Sequence, residues 1–88
     1  MGDVAVRYRL LPESPDQDID SLMGRLKSAL PPEVKLRASE VRPFAFGLKA
    51  IEILVVFKDE GGLSEQTENA LQQVPGIQSV EVLEMGLL

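Results

Sequence analysis

Apolar and polar residues alternate from Asp3 to Leu10. Val4, Val6, Tyr8 and Leu10 fall on one side and Ala5, Arg7 and Arg9 on the other, the period-two pattern of a strand with one wet face. The period then changes. Ile19, Leu22, Met23, Leu26, Ala29 and Leu30 recur at helical spacing. Ahead of them, Ser14-Pro15-Asp16-Gln17 predicts the helix start, with Ser14 as cap, Pro15 at the first helical position and Gln17 placed to complete a capping box. Pro31-Pro32 ends the helix, since neither residue has an N–H to donate. Val34, Leu36 and Ala38 alternate with Lys35, Arg37 and Ser39 in a second strand, and a slip near Glu40-Val41 predicts a bulge or bend. A third strand, about Leu48 to Lys58, carries Ile51, Ile53, Val55 and Phe57 on one face and Leu54 and Val56 on the other. Apolar residues on both faces predict a central strand. Asp59-Glu60-Gly61-Gly62 reads as a turn, and Ser64 is expected to cap a second helix with Thr67, Ala70, Leu71 and Val74 on its buried side. Pro75-Gly76 stops that helix. The last strand spans about Ile77 to Met85, with Val80 and Val82 opposed to Leu83 and Met85.

The order is strand–helix–strand–strand–helix–strand, an α+β chain of two interleaved βαβ units. Two helices on one face of a four-stranded antiparallel sheet supply the second layer that a core requires. Right-handed crossovers place the first and third strands in the centre, giving strand order 4-1-3-2. Eighty-eight residues fit one domain, residues 1–88. If the alternations stay in phase, the open face of the sheet carries Arg7, Arg9, Lys35, Arg37, Glu52, Leu54, Val56, Leu83 and Met85.

Composition removes several kinds of chemistry. The chain has no histidine and no cysteine, hence no thiolate metal site, no disulfide and no Ser–His pair for a hydrolytic triad. Asp16, Asp18 and Asp20 complement the dipole of the first helix but lack the twelve-residue loop of a calcium site. Gly61-Gly62 is an isolated pair without a phosphate-loop lysine. No enzyme, cofactor or metal is expected. A formal charge of −5 argues against direct nucleic-acid binding, although Arg7, Arg9, Lys35, Arg37, Arg42 and Lys49 leave room for a local basic patch. Met1-Gly2-Asp3 is too short and acidic for a signal sequence, and no apolar run approaches the roughly 18 residues of a membrane span. A cytoplasmic chain without a membrane partner is expected.

Pro43-Phe44-Ala45-Phe46-Gly47-Leu48-Lys49 stands apart. Two phenylalanines and a glycine lie in an apparent turn between the second and third strands. One of the rings folding back over the sheet would gain about 1.5–3 kcal/mol if fully buried. A projecting ring would instead anchor a partner, as desolvated aromatics do in binding hot spots. The residues alone leave both open. An RNA-binding module is disfavoured by the charge and because Tyr8 and Phe57 are expected to face the helices. A small-molecule-sensing or scaffold domain remains the alternative.

The tip motif, the strand Ile51 to Phe57, Gly62-Leu63, Gln78-Ser79-Val80-Glu81-Val82 and the ending Met85-Gly86-Leu87-Leu88 together resemble the archaeal elongation factor 1-beta family. They are similar as well to the C-terminal exchange domain of the eukaryotic factor, whose first-helix pattern is met by Asp18-Ile19 with Leu22. The resemblance covers essentially the whole chain. It implies a ferredoxin-like βαββαβ sandwich that promotes GDP release and GTP loading on elongation factor 1-alpha, and a monomer when free. Phe46 matches the aromatic that eukaryotic members press into the G domain near its switch region. Gly47 and Lys49 match the tip, with Phe44 in support and Leu87 and Leu88 at the terminus. One position departs: eukaryotic members carry a penultimate lysine aimed at the magnesium and phosphate-loop region, and here that residue is Leu87. Either Leu87 and Leu88 act sterically, or Lys49 or Arg42 takes over the charge.

Overall fold

Six main elements account for most of residues 2–87, the part that the computed structural model describes. In chain order they are β1 (Asp3–Pro12), α1 (Ile19–Ala29), β2 (Lys35–Pro43), β3 (Lys49–Lys58), α2 (Leu63–Gln72) and β4 (Ile77–Leu87), with one 3-10 turn at Ala45–Gly47. The sheet order is β2-β3-β1-β4, every pair antiparallel. This is the expected 4-1-3-2 order read from the other edge, and the fold is the ferredoxin-like βαββαβ sandwich. In register, Val6 lies opposite Val55, Tyr8 opposite Ile53 and Leu10 opposite Ile51. These six side chains are buried against Leu22 and Leu26 of α1 and Leu63 and Leu71 of α2 in one core. Each fully buried aliphatic contributes about 1.5–3 kcal/mol, so the sheet–helix layer carries most of the stability. Among the described residues no helix is long and apolar enough to cross a membrane.

The first helix begins later than Ser14-Pro15 suggests. Asp18 is the cap, and its carboxylate accepts from the N–H of Asp20 (3.1 Å) and of Ser21 (3.4 Å). Pro12 still belongs to β1, paired with Ile77, and the Glu13 N–H donates to the Gly76 carbonyl at 2.9 Å. That tertiary bond ties the strand's exit to the start of β4, and Ser14 is left in a turn whose carbonyl accepts from Gln17. At α2 the cap is Gly62, left-handed at φ 83°, with no capping side chain. Ser64 is the second residue of the helix, not its cap. Leu63 is buried there and Ala70 only half-buried. The buried Thr67 hydroxyl is satisfied by donating to the Leu63 carbonyl at 2.8 Å.

Two bulges reset which side chains face the helices. In β2 the extra residue is Arg37, between the pairs Leu36↔Val55 and Ala38↔Leu54. The slip thus comes before Glu40-Val41, and it moves Ala38 to the open face. In β4 the extra residue is Leu83, between Tyr8↔Val82 and Arg7↔Glu84. Beyond it Met85 lies opposite Val6 and Leu87 opposite Val4, on the helix side of the sheet. Met85 therefore does not belong to the open face, where the unbroken alternation had placed it. One extra residue inverts every later position because the side-chain period is two.

Candidate functional site

The β2–β3 tip is built by three hydrogen-bonding constraints. Pro43 closes the ladder opposite Lys49 and has no N–H to extend it. The Phe44 N–H donates to the Leu48 carbonyl at 2.8 Å, and the Leu48 N–H returns to the Ala45 carbonyl at 3.2 Å. Closing so tight a loop takes two successive left-handed residues, Phe46 (φ 63°, ψ 28°) and Gly47 (φ 76°). Glycine adopts that region without a Cβ clash, whereas a side-chain-bearing residue is disfavoured there by about 1–2 kcal/mol.

The backbone geometry separates the two phenylalanines. Phe44 is 37% exposed, and the Arg9 guanidinium lies over its ring, 5.2 Å from the centroid, a cation–π contact worth about 0.5–1 kcal/mol at an exposed site. Arg9 is itself held by Glu81 of β4. Phe44 thus folds back onto the open face and is braced from two strands. Phe46 is 94% exposed, so its ring packs against nothing among the described residues. Strain and exposure coincide at one residue, and neither helps the fold. Lys49, at the base of the tip, is exposed and takes part in no ion pair among the described residues.

The other proposed partner residues lie elsewhere. Leu87, 71% exposed, pairs with Val4, whereas the tip lies beyond the Leu10↔Ile51 end of the sheet. Tip and Leu87 are therefore at opposite ends of the sheet. Leu88 lies outside the described residues.

Between these ends the open face is a lattice of opposite charges. Arg7 faces Glu84 at 3.6 Å and Arg9 meets Glu81. Arg42 reaches both Glu40 (2.7 Å) and Glu52 (3.4 Å). The hydrogen bonds that Arg42 donates to Glu40, then the charge of Glu40 and that of Glu52, push the Arg42 guanidinium above its already high range. Paired in this way, Arg7, Arg9 and Arg42 do not form the basic patch that the sequence left open. Among the described residues the central strands offer no aromatic platform there, since Tyr8 and Phe57 are buried on the helix side. The Tyr8 hydroxyl, beside Ser64 of α2, has no partner of good geometry. Burial pushes its pKa up to about 12, against a lowering by Ser64, with the charge of Glu68 adding to the rise. The alternation in β1 placed Arg9 on the open face and no more. Its role as the brace of Phe44 depends on a contact between β1 and the tip that no local pattern reports.

The fold is a two-layer ferredoxin-like domain that carries a strained, projecting aromatic tip. Residues 5–88 match the family described as the EF-1 guanine nucleotide exchange domain, and the chain belongs to that family. It is 43% identical over 86 residues to elongation factor 1-beta of Methanococcoides burtonii, covering 98% of this chain and 97% of that protein. To elongation factor 1-beta of Halorubrum lacusprofundi it is 41% identical over 88 residues, covering 100% of both. Among solved structures, it superposes on the ACT domain from GTP pyrophosphokinase of Chlorobium tepidum with TM-score 0.65 at 16% identity, covering 92% of this chain and 99% of that one. That likeness shows the fold alone. Family membership, over nearly the full chain, supports a guanine-nucleotide exchange role.

Proposed function

We propose that this protein promotes GDP release and GTP loading on elongation factor 1-alpha, with Phe46 as its principal anchor. The observation that carries the anchor is the exposed, left-handed Phe46 at the tip. A ring held in solvent by a strained backbone gains its stabilisation only when a partner pocket desolvates it. Phe44, braced by Arg9, fixes the direction of the tip. Gly47 permits the turn, and Lys49 places a cation beside the anchor. Leu87 forms a second contact at the far end, apolar where eukaryotic relatives carry a penultimate lysine, and acts there by filling space.

Such exchange makes and breaks no covalent bond, so the protein is no enzyme in the strict sense and needs neither cofactor nor metal of its own. It acts by binding the nucleotide-free partner more tightly than the GDP-bound one. A thousandfold change in nucleotide affinity corresponds to about 4 kcal/mol of coupling, a magnitude that one desolvated aromatic and a reorganised polar rim supply between them. The free protein is monomeric and works in the cytoplasm, without direct contact to nucleic acid or membrane.

Stopped-flow release of a fluorescent GDP analogue from archaeal elongation factor 1-alpha, with unlabelled GDP as trap, tests this. Acceleration should rise with concentration of the wild type and be largely lost in a folded Phe46→Ala variant. Full acceleration by that variant would remove Phe46 as anchor. None by the wild type, with an active partner and varied Mg²⁺, would overturn the exchange reading.

A further inference from the structure

The charge of this chain is unevenly distributed. Residues 59–88 contain no lysine or arginine, and Asp59, Glu60, Glu65, Glu68, Glu81 and Glu84 are their charged side chains. Folding gathers four of these carboxylates around one groove of about 660 Å³, far from the tip, where the turn after β3 and the first part of α2 meet β4. Its floor is apolar, with Val4, Phe57 and Met85 among its lining residues. Met85 is 54% exposed, and Leu87, opposite Val4, continues the apolar strip along the same face of the sheet. Asp59, Glu60, Glu65 and Glu68 line the rim, and no lysine or arginine lines it.

Two features make this more than a solvated acidic surface. Met85 and Leu87 face this side because of the bulge at Leu83, which turns apolar side chains towards a region that the helices leave uncovered. The acids here also differ from those on the open face. Glu40, Glu52, Glu81 and Glu84 are paired with arginines of this chain, whereas Asp59, Glu60, Glu65 and Glu68 enter no ion pair among the described residues. Charge complementarity then defines the occupant: an apolar side chain flanked by lysine or arginine, the apolar part on Met85 and the cations on the rim.

We infer that this groove is a second docking surface, which receives a basic, apolar-centred segment of the exchange partner and steers its approach. The inference rests on the exchange reading above and adds the chemistry of a contact distant from Phe46. Steering acts on encounter, so its signature is a salt-dependent second-order rate with an unchanged rate at saturation.

The test compares two neutralised variants of the full chain in the GDP-release assay at low and high ionic strength. Glu65→Gln/Glu68→Gln removes two groove charges. Glu13→Gln/Glu33→Gln removes two exposed charges outside the groove, and so controls for net charge. The groove pair should lower kcat/KM about threefold to tenfold at low salt, leave kcat unchanged and flatten the salt dependence, while the control pair does clearly less. Circular dichroism checks that both variants fold. Equal effects from the two pairs, no effect, or a loss confined to kcat would overturn the groove and leave the exchange reading standing. Absence of acceleration by the wild type would overturn both.

Discussion

Phe46 and Tyr8 carry opposite kinds of local cost. Phe46 combines a left-handed backbone with a ring in solvent, so replacing it should not harm the fold. Phe46→Asn keeps a residue that tolerates this conformation. It should raise the urea midpoint by about 0.5–1 kcal/mol equivalent at constant m while abolishing exchange; a lowered midpoint would show that the ring supports the fold. Tyr8 is buried, its hydroxyl poorly partnered and its pKa pushed up to about 12 from 10.0. Below pH 10 the folded and unfolded states both keep the proton. As pH rises from 10 towards 12 the unfolded chain loses it first, so stability falls across that window. It is the only tyrosine in the chain, so tyrosinate absorbance of the folded protein reports it alone. The titration should lie well above 10, and Tyr8→Phe should remove this contribution to the alkaline loss while changing stability at neutral pH by no more than about 1 kcal/mol.

Among the elements, the first helix shows how local signals compete. Ser14 and Asp18 both satisfy the chemistry of a cap, and the hydrogen bond from Glu13 to Gly76 decides between them by holding the strand exit against β4. Asp18→Ala should therefore cost about 1 kcal/mol of stability, and Ser14→Ala less than about 0.5 kcal/mol, as read from urea midpoints. The reverse ranking would restore the earlier helix start. The strands carry a comparable competition. Alternation placed Val6, Tyr8, Ile53 and Val55 on the core side, and they lie there with essentially no exposure. It misplaced Ala38 and Met85, each beyond a bulge, because a bulge is set by how two strands fit their neighbours rather than by residue type.

At the scale of the whole molecule, the tip and Leu87 lie at opposite ends of a sheet whose ten-residue central strand spans about 33 Å. Neither shares a contact with the other, so their effects on exchange should add. In a Phe46→Ala, Leu87→Ala and double-variant cycle, the change in activation free energy of the double should equal the sum within about 0.5 kcal/mol. A coupling well beyond that would mean that the partner binds the two ends as one cooperative unit. The charged lattice of Arg7, Arg9 and Arg42 with its glutamates lies between them. Each pair has at least one well-exposed partner, so the lattice adds little to stability; its structural consequence is Arg9, which connects β4, β1 and the tip.

Sequence by itself determined the kind and order of the elements, because periods of two and 3.6 residues are local consequences of backbone geometry. Handedness of the crossovers then left one strand order. The absence of histidine and cysteine excluded thiolate- and histidine-dependent chemistry, and two phenylalanines with a glycine between the second and third strands marked the tip. Only the tertiary structure decided which phenylalanine is braced and which projects, since that depends on Arg9 arriving from β1. It also decided which face Met85 and Leu87 occupy, and that the acids near α2 surround an apolar floor. Each of these rests on contacts between segments distant in sequence, where register and packing, not residue type, determine what a side chain meets.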